Sequence, residues 1–245
     1  MTDSHVHIGQ YEDRYYDPLE VMDIVMSAGM EGMSFSTTSS CKDNILYQEI
    51  EREISSFLSR ISYTAEIIRP FFWYIPDYID QNITIESALT GIPYKGIKIH
   101  PFAHSWDFNN IRHMDTLHSI FDYGSRNNLP VLIHTGNNSI DSADRFERFM
   151  HEYHDTKCIL AHCRPLDMTI ELLKKYPNVY CDTAFVPLAN IRHIIASGLA
   201  SKIIFGSDFP ITHFYATKYQ NSGDNVRISL KEKYAEDIAG WFIMS

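Results

Sequence analysis

Cysteine is scarce in this 245-residue chain: there are four, Cys41, Cys158, Cys163 and Cys181, with no CxxC spacing among them. That speaks against a disulfide framework and favours reduced thiols. Long hydrophobic runs are also missing. No apolar stretch approaches the roughly 20 residues needed to cross a bilayer, so membrane insertion is not expected. Basic residues are in the minority, 21 Lys and Arg against 31 Asp and Glu for a formal charge of -10, and they form no cluster. Such a balance opposes association with phosphate backbones, so nucleic acid is not expected as a partner. The opening MTDSHVHIG has no basic segment followed by an apolar one, hence no signal-peptide pattern, and a cytoplasmic location is expected. Neither a linker, a low-complexity tract nor a sequence repeat marks a domain boundary.

What is present is a regular alternation. Short runs rich in Val, Ile, Phe and Tyr are separated by longer segments of helical period, the pattern of repeated βα units. Strands are expected near 2–7, 32–37, 63–74, 95–100, 130–135, 157–162, 178–183 and 202–207. Helical segments are expected from Asp17-Pro18 to Gly29 and over 43–60, 111–127, 140–155, 166–176 and 188–198. The unit after the third strand has room only for a short helix at 84–90. Eight such units in about 250 residues predict one α/β domain over 1–245, a (β/α)8 TIM barrel.

Polar residues punctuate the ends of these apolar strands. His5 and His7 in DSHVHIG lie two apart, so a strand turns both to one side, where two imidazoles can converge on one ion. The fifth strand, VLIHTG, ends at His134, the sixth, CILAHC, at His162, and the eighth, IIFGSDFP, at Asp208. In a (β/α)8 barrel the functional residues sit at the C-terminal ends of strands, over the mouth. Taken singly, a histidine is more often a satisfied core or surface imidazole. His113, His118, His151, His154 and His193, on expected helices, fit that reading. Four strand ends acquiring buried polar groups together do not, because such groups destabilise an apolar interior.

In this order of motifs the whole chain resembles the amidohydrolase superfamily, in its amidohydrolase-related branch of metal-dependent hydrolases and decarboxylases. The resemblance implies that His5, His7, His134 and Asp208 bind a divalent metal and that His162 lies beside it. The segment YAEDIAGWFI resembles the helix that closes such barrels, without the family's Asn-Ala pair. Zinc is the expected ion, with manganese or iron as alternatives, lowering the pKa of a bound water toward about 7. Asp208 is then the general base, and His162 stabilises developing charge or holds a second ion. One ion is expected rather than two, because the fourth strand, KGIKIHPF, supplies no bridging Glu. Carbamylation of Lys98 is the less common alternative.

Around this set, Lys98, His100, Arg164 and Trp73 are candidate substrate contacts, Arg164 through its planar fork for a carboxylate or phosphate, against a surface ion pair. Asp182 is left open between a structural and a functional role. The aromatics Phe71, Phe72, Trp73, Tyr74 and Trp106 wall a pocket or fill the core. The long segment FPITHFYATKYQNSGDN after Asp208 is where a lid or specificity element is expected. The leading expectation is a hydrolase acting on a small molecule. The alternatives are a metal-dependent decarboxylase or hydratase of a carboxylated small molecule, aromatic or not, and a catalytically silent barrel that binds a partner.

Overall fold

Side chains alternate across a strand, so a closed ring of strands sorts its residues into an inner and an outer set. The computed structural model describes residues 1–218 and 229–242. The chain begins with β1 (Thr2–Tyr11) and its antiparallel hairpin partner β2 (Arg14–Tyr16), the latter unanticipated. Seven more strands follow: β3 (Gly32–Thr37), β4 (Ile68–Trp73), β5 (Gly96–Ile99), β6 (Val131–His134), β7 (Cys158–Ala161), β8 (Val179–Asp182) and β9 (Ile203–Ile204). From β1 and β3 onward each pairs in parallel with the next. The ring closes where the segment after β9 meets β1. Ser4 N–H donates to the Phe205 carbonyl at 2.9 Å, Asp208 N–H to His5 at 2.8 Å and His7 N–H to Phe209 at 2.7 Å. The architecture is the expected (β/α)8 barrel.

The intervening helices are α1 (Pro18–Ser27), α2 (Tyr47–Ser59), α3 (Asp77–Asp80), α4 (Ile85–Ala88), α5 (Ile111–Asn127), α6 (Glu147–Glu152), α7 (Leu166–Lys175), α8 (Leu188–Ala196), α9 (Ile211–Lys218) and α10 (Leu230–Phe242). Local chemistry sets their ends. The Asp17 carboxylate accepts from Leu19 N at 2.9 Å and Glu20 N at 3.2 Å, with Pro18 at the first helical position. In α5 the apolar positions Leu117, Ile120, Phe121 and Gly124 recur at the helical period and are buried. Asn110 caps its start, and Asn128 in the left-handed region ends it.

Differences from the expected boundaries have local causes. The third strand begins only at Ile68, because residues 65–67 form a turn whose Thr64 carbonyl takes the N–H groups of Ile67 and Ile68. The helix expected over 140–155 is a 3₁₀ turn followed by the short α6. The loop expected after Asp208 begins as helix α9, and its residues 219–228 lie outside the described residues. The expected closing helix at 234–243 falls within α10 except for its last residue, which lies outside them too.

Inside the barrel, Phe71, Leu132, Ile159 and Ala161 form an apolar plug with Tyr180 and Ile204 packed against it. Gly96 belongs to this layer because a Cβ there would lie 2.4 Å from the Phe71 ring. Full burial of each large apolar side chain contributes roughly 1.5–3 kcal/mol. Two residues further along the same strands stand Trp73, Lys98, His134 and Asp182, so alternation places a polar layer directly above the plug.

Candidate metal centre and active site

His5 and His7 rise from β1 into that polar layer, and the closing seam brings Asp208 against them. Asp208 Oδ1 lies 2.8 Å from His7 Nε2 and 3.3 Å from His5 Nε2, and the two Nε2 atoms are 3.2 Å apart. All three side chains are buried, and their ligand atoms lie within 4.8 Å of one another. The far sides of both rings are anchored. His5 Nδ1 donates to Asp182 Oδ2 at 2.6 Å, which leaves Nε2 as a lone pair facing the group. His7 Nδ1 is held by the Ser36 carbonyl at 3.3 Å and hydroxyl at 3.2 Å. A carboxylate or carbonyl behind each ligating imidazole is the arrangement that orients histidines for a metal. Ligand atoms crowded at such distances leave room for a cation to replace the proton between them, and the set of two imidazoles and a carboxylate suits zinc, manganese or iron.

The electrostatics agree. Burial holds His5 well below its ordinary pKa, with the Lys98 ammonium adding to the effect, so the ring is neutral and able to ligate. Burial by itself would raise Asp208. The facing imidazoles of His5 and His7, with a hydrogen bond from His7, instead hold its carboxyl well below the usual carboxylate range.

His134 stands outside this three-residue group. Its ring stacks on His100 with centroids 3.5 Å apart, and its Nδ1 is turned to His162 Nε2 at 3.0 Å. Of the four ligands expected from the sequence, the structure brings three side chains together and sets His134 apart from them, its orientation fixed by the stacking and the His162 contact. His162 donates from Nδ1 to the Ala184 carbonyl at 3.0 Å, and its own N–H is held by Asp182 Oδ1 at 2.9 Å. Burial lowers its pKa, against the opposing charges of Asp208 and Asp182. Asp182, left open by the sequence, therefore joins His5 to the His162 backbone, and burial pushes its carboxyl up to about 6.

The Lys98 ammonium lies 3.3 Å from His5 Nε2 and over the Trp73 ring at 5.7 Å. Burial pulls it down to about 8, with Asp208 and Asp182 opposing. His100 is sandwiched between Trp73, stacked at 5.8 Å, and His134, and burial with the Lys98 charge keeps it well below its ordinary pKa. Arg164 lines the same space and donates to the Phe185 carbonyl at 3.4 Å.

Apart from Asp182, which is buried behind His5, these groups line one cavity of about 680 Å³ at the strand C-termini. Several residues that sequence reasoning passed over line it too, among them Cys41, Phe102, Asn138, Asp141 and Phe185, together with Tyr215 from the segment expected to carry a lid or specificity element. Asp141 Oδ2 lies 3.7 Å from His134 Nε2, in space that exists only because residue 136 is glycine: a Cβ there would meet that oxygen at 2.1 Å. His162 and Asp208 have positive φ, 71° and 57°. Few non-glycine residues adopt that region, although Asp and His do so more readily than most, and such conformations gather at functional sites.

His5, His7 and Asp208 thus meet at the mouth of a (β/α)8 barrel, as a group of ligand atoms close enough together to hold a metal ion. The amidohydrolase family profile matches residues 2–238, and the chain belongs to that family. Among solved structures it resembles a protein assigned as 2-pyrone-4,6-dicarboxylic acid hydrolase from Pseudomonas putida, at 14% identity and TM-score 0.63 over 99% of this chain and 89% of that one. It also resembles a dihydroxybenzoic acid decarboxylase from Polaromonas sp. JS666 with bound manganese, at 14% identity and TM-score 0.58 over 99% and 96% of the two chains. A third is the dihydroorotase of Campylobacter jejuni, at 15% identity and TM-score 0.51 over 100% and 83%. At such identities the likeness shows the fold alone. No curated protein sequence matches the chain at significant similarity. No helix among the described residues is long and apolar enough to cross a membrane.

Proposed function

We propose that this protein is a metal-dependent hydrolase of a small molecule. The observation that carries the reading is the convergence of His5, His7 and Asp208 across the closing seam. These three would hold a divalent ion, zinc by donor chemistry, with His134 as the fourth candidate ligand. Bound there, the ion would act as a Lewis acid that raises the acidity of water and polarises a substrate oxygen.

The chain's own residues supply the rest. Asp208, kept ionised by its imidazole neighbours, accepts a proton from the attacking water and returns it to the leaving group. The Lys98 ammonium, protonated at neutral pH, stabilises the negative charge that develops on the attacked oxygen, and His162, its ring 5.5 Å from that of His5, assists. Asp182 keeps His5 and the His162 backbone in register. Arg164 and His100 orient the substrate, and Trp73 walls it in.

A second reading keeps the site and changes the bond. Two cations in the cavity, Lys98 and Arg164, suit a carboxylated compound, which could lose carbon dioxide instead of gaining water. Metal analysis of the purified protein beside His5→Ala and Asp208→Asn tests the centre. A panel of lactones, amides, phosphoesters and aromatic carboxylates, followed by product mass, then divides the two reactions. Wild type that neither carries nor binds a divalent ion sinks both, and carbon dioxide release without water addition rejects the hydrolase.

A further inference from the structure

The floor of the cavity is polar, and three exposed aromatic rings stand at its mouth beside Asn137 and Asn138. Phe102, Phe185 and Tyr215 line the cavity yet are 56%, 37% and 38% exposed. A single exposed ring is ordinary on a protein surface. Three around one opening, from the loop after β5, the loop after β8 and helix α9, give that opening apolar surface of the kind that marks a binding site.

The rings are also held in place. Phe185 has φ +53°, a conformation that bulky L residues rarely adopt, and its neighbours fix that backbone: Ala184 O accepts from His162 Nδ1 at 3.0 Å and Phe185 O accepts from Arg164 at 3.4 Å. The Phe185 ring meets Tyr215 edge-on at 5.9 Å. Turn hydrogen bonds pin the Phe102 loop, Ser105 N–H to Phe102 O at 3.3 Å and Trp106 N–H to Pro101 O at 3.1 Å. Strain of this kind persists only where the surroundings enforce it, and it gathers at ligand clamps. The cavity of about 680 Å³ falls in the range that encloses a drug-sized ligand, so a head group of a few atoms on the floor leaves most of it unfilled.

Resting on the reading of this cavity as a substrate site, we propose that the substrate is amphiphilic. An oxygen-bearing head sits on the floor near Lys98 and Asp208, and an apolar group of several carbons lies against Phe102, Phe185 and Tyr215. The occupant follows from continuity, because the apolar rim and the polar floor belong to one cavity and a single molecule can span both. Phe185 then acts as a specificity residue, reading the tail while its backbone carbonyl fixes Arg164.

Calorimetric titration of acetate, butanoate, hexanoate and octanoate against the purified protein tests this without turnover. A buried methylene is worth about 0.8 kcal/mol, up to about fourfold in affinity, so octanoate should bind roughly 30-fold tighter than butanoate or more. Phe185→Gly accepts the positive φ and should not lower the thermal midpoint. Combined with Phe102→Ser, it should cut the octanoate-to-butanoate ratio below about threefold. The proposal is overturned if octanoate binds no tighter than butanoate, if none of the carboxylates binds, or if the folded double variant keeps the full tail gain. Failure of the enzyme reading shows separately, as absence of metal and of turnover in the substrate panel, whatever the titrations give.

Discussion

Two buried polar groups share strand β1 and the segment after β9, and they are built on opposite principles. The Asp3 carboxylate is fully satisfied. It accepts from Ser207 Oγ at 2.6 Å, Ser207 N and His5 N at 3.1 Å each, and Tyr234 Oη at 2.9 Å. A few residues on, His5, His7 and Asp208 crowd their ligand atoms together with fewer donors among them, a hydrogen bond from His7 to Asp208 and the Lys98 ammonium at His5 Nε2. Burying a polar group is tolerable when every lone pair finds a donor, and costly when it does not. The satisfied set ties the first strand, the last strand and α10 together and has nothing left to offer a ligand. The unsatisfied set retains a demand that a cation would meet. The strand register separates them: pairing with β3 slips by one residue between Asp3 and Val6, so Asp3 falls on the side of Val6, away from His5 and His7.

The strongest way to break this comparison is to remove the seam ligand. Asp208→Asn should lower kcat/KM by about 10³-fold and reduce bound metal while leaving the unfolding midpoint near wild type. A variant that loses its fold in step with its activity would mean that Asp208 belongs to the structural set.

The satisfied set should instead answer to pH. Burial pushes the Asp3 carboxyl up to about 7 from 3.8. A raised folded-state pKa means that its contribution to stability is fully present below about 3.8 and is lost as pH rises through about 7. The difference in unfolding free energy between wild type and Asp3→Asn should therefore shift by about 4 kcal/mol between pH 4 and pH 8, wild type losing ground as pH rises. Urea denaturation at each pH measures it, and a difference that stays flat contradicts the burial argument.

Asp182 connects the two kinds of behaviour, since it is well supplied with donors and yet holds His5, a candidate ligand. Asp182→Ala frees His5 Nδ1 and should weaken metal binding by about 10–100-fold, read by competition with a chelating dye. The smallest effect belongs to Tyr234→Phe, which removes one of the donors to Asp3. It should cost about 1 kcal/mol of stability and leave metal content unchanged. Metal loss in that variant would show that the closure network and the centre are coupled more tightly than their separate hydrogen bonds indicate.

The barrel was largely legible before any coordinates, because each βα unit writes its own period into adjacent residues. Strand ends were less so. The eighth strand, expected over 202–207, is regular only at Ile203–Ile204, since Phe205 to Phe209 bond to β1 in an irregular closure whose partner lies some 200 residues away in the chain. His5, His7 and Asp208 could be named from their places at strand ends. That His134 would turn aside could not, because its orientation depends on His100 and His162, on neighbouring strands.

Asp141, Phe102 and Phe185 left no sequence signal beyond a glycine at 136, since loop residues obey no period. By itself, then, the sequence determined the alternation that sets Trp73, Lys98 and His134 above an apolar plug and turns His5 and His7 to one side of β1. Only the tertiary structure decided which of these polar groups are satisfied and which are left facing one another. Hydrogen-bond satisfaction is a property of partners brought together by ring closure, and no stretch of local sequence contains both halves of the pair.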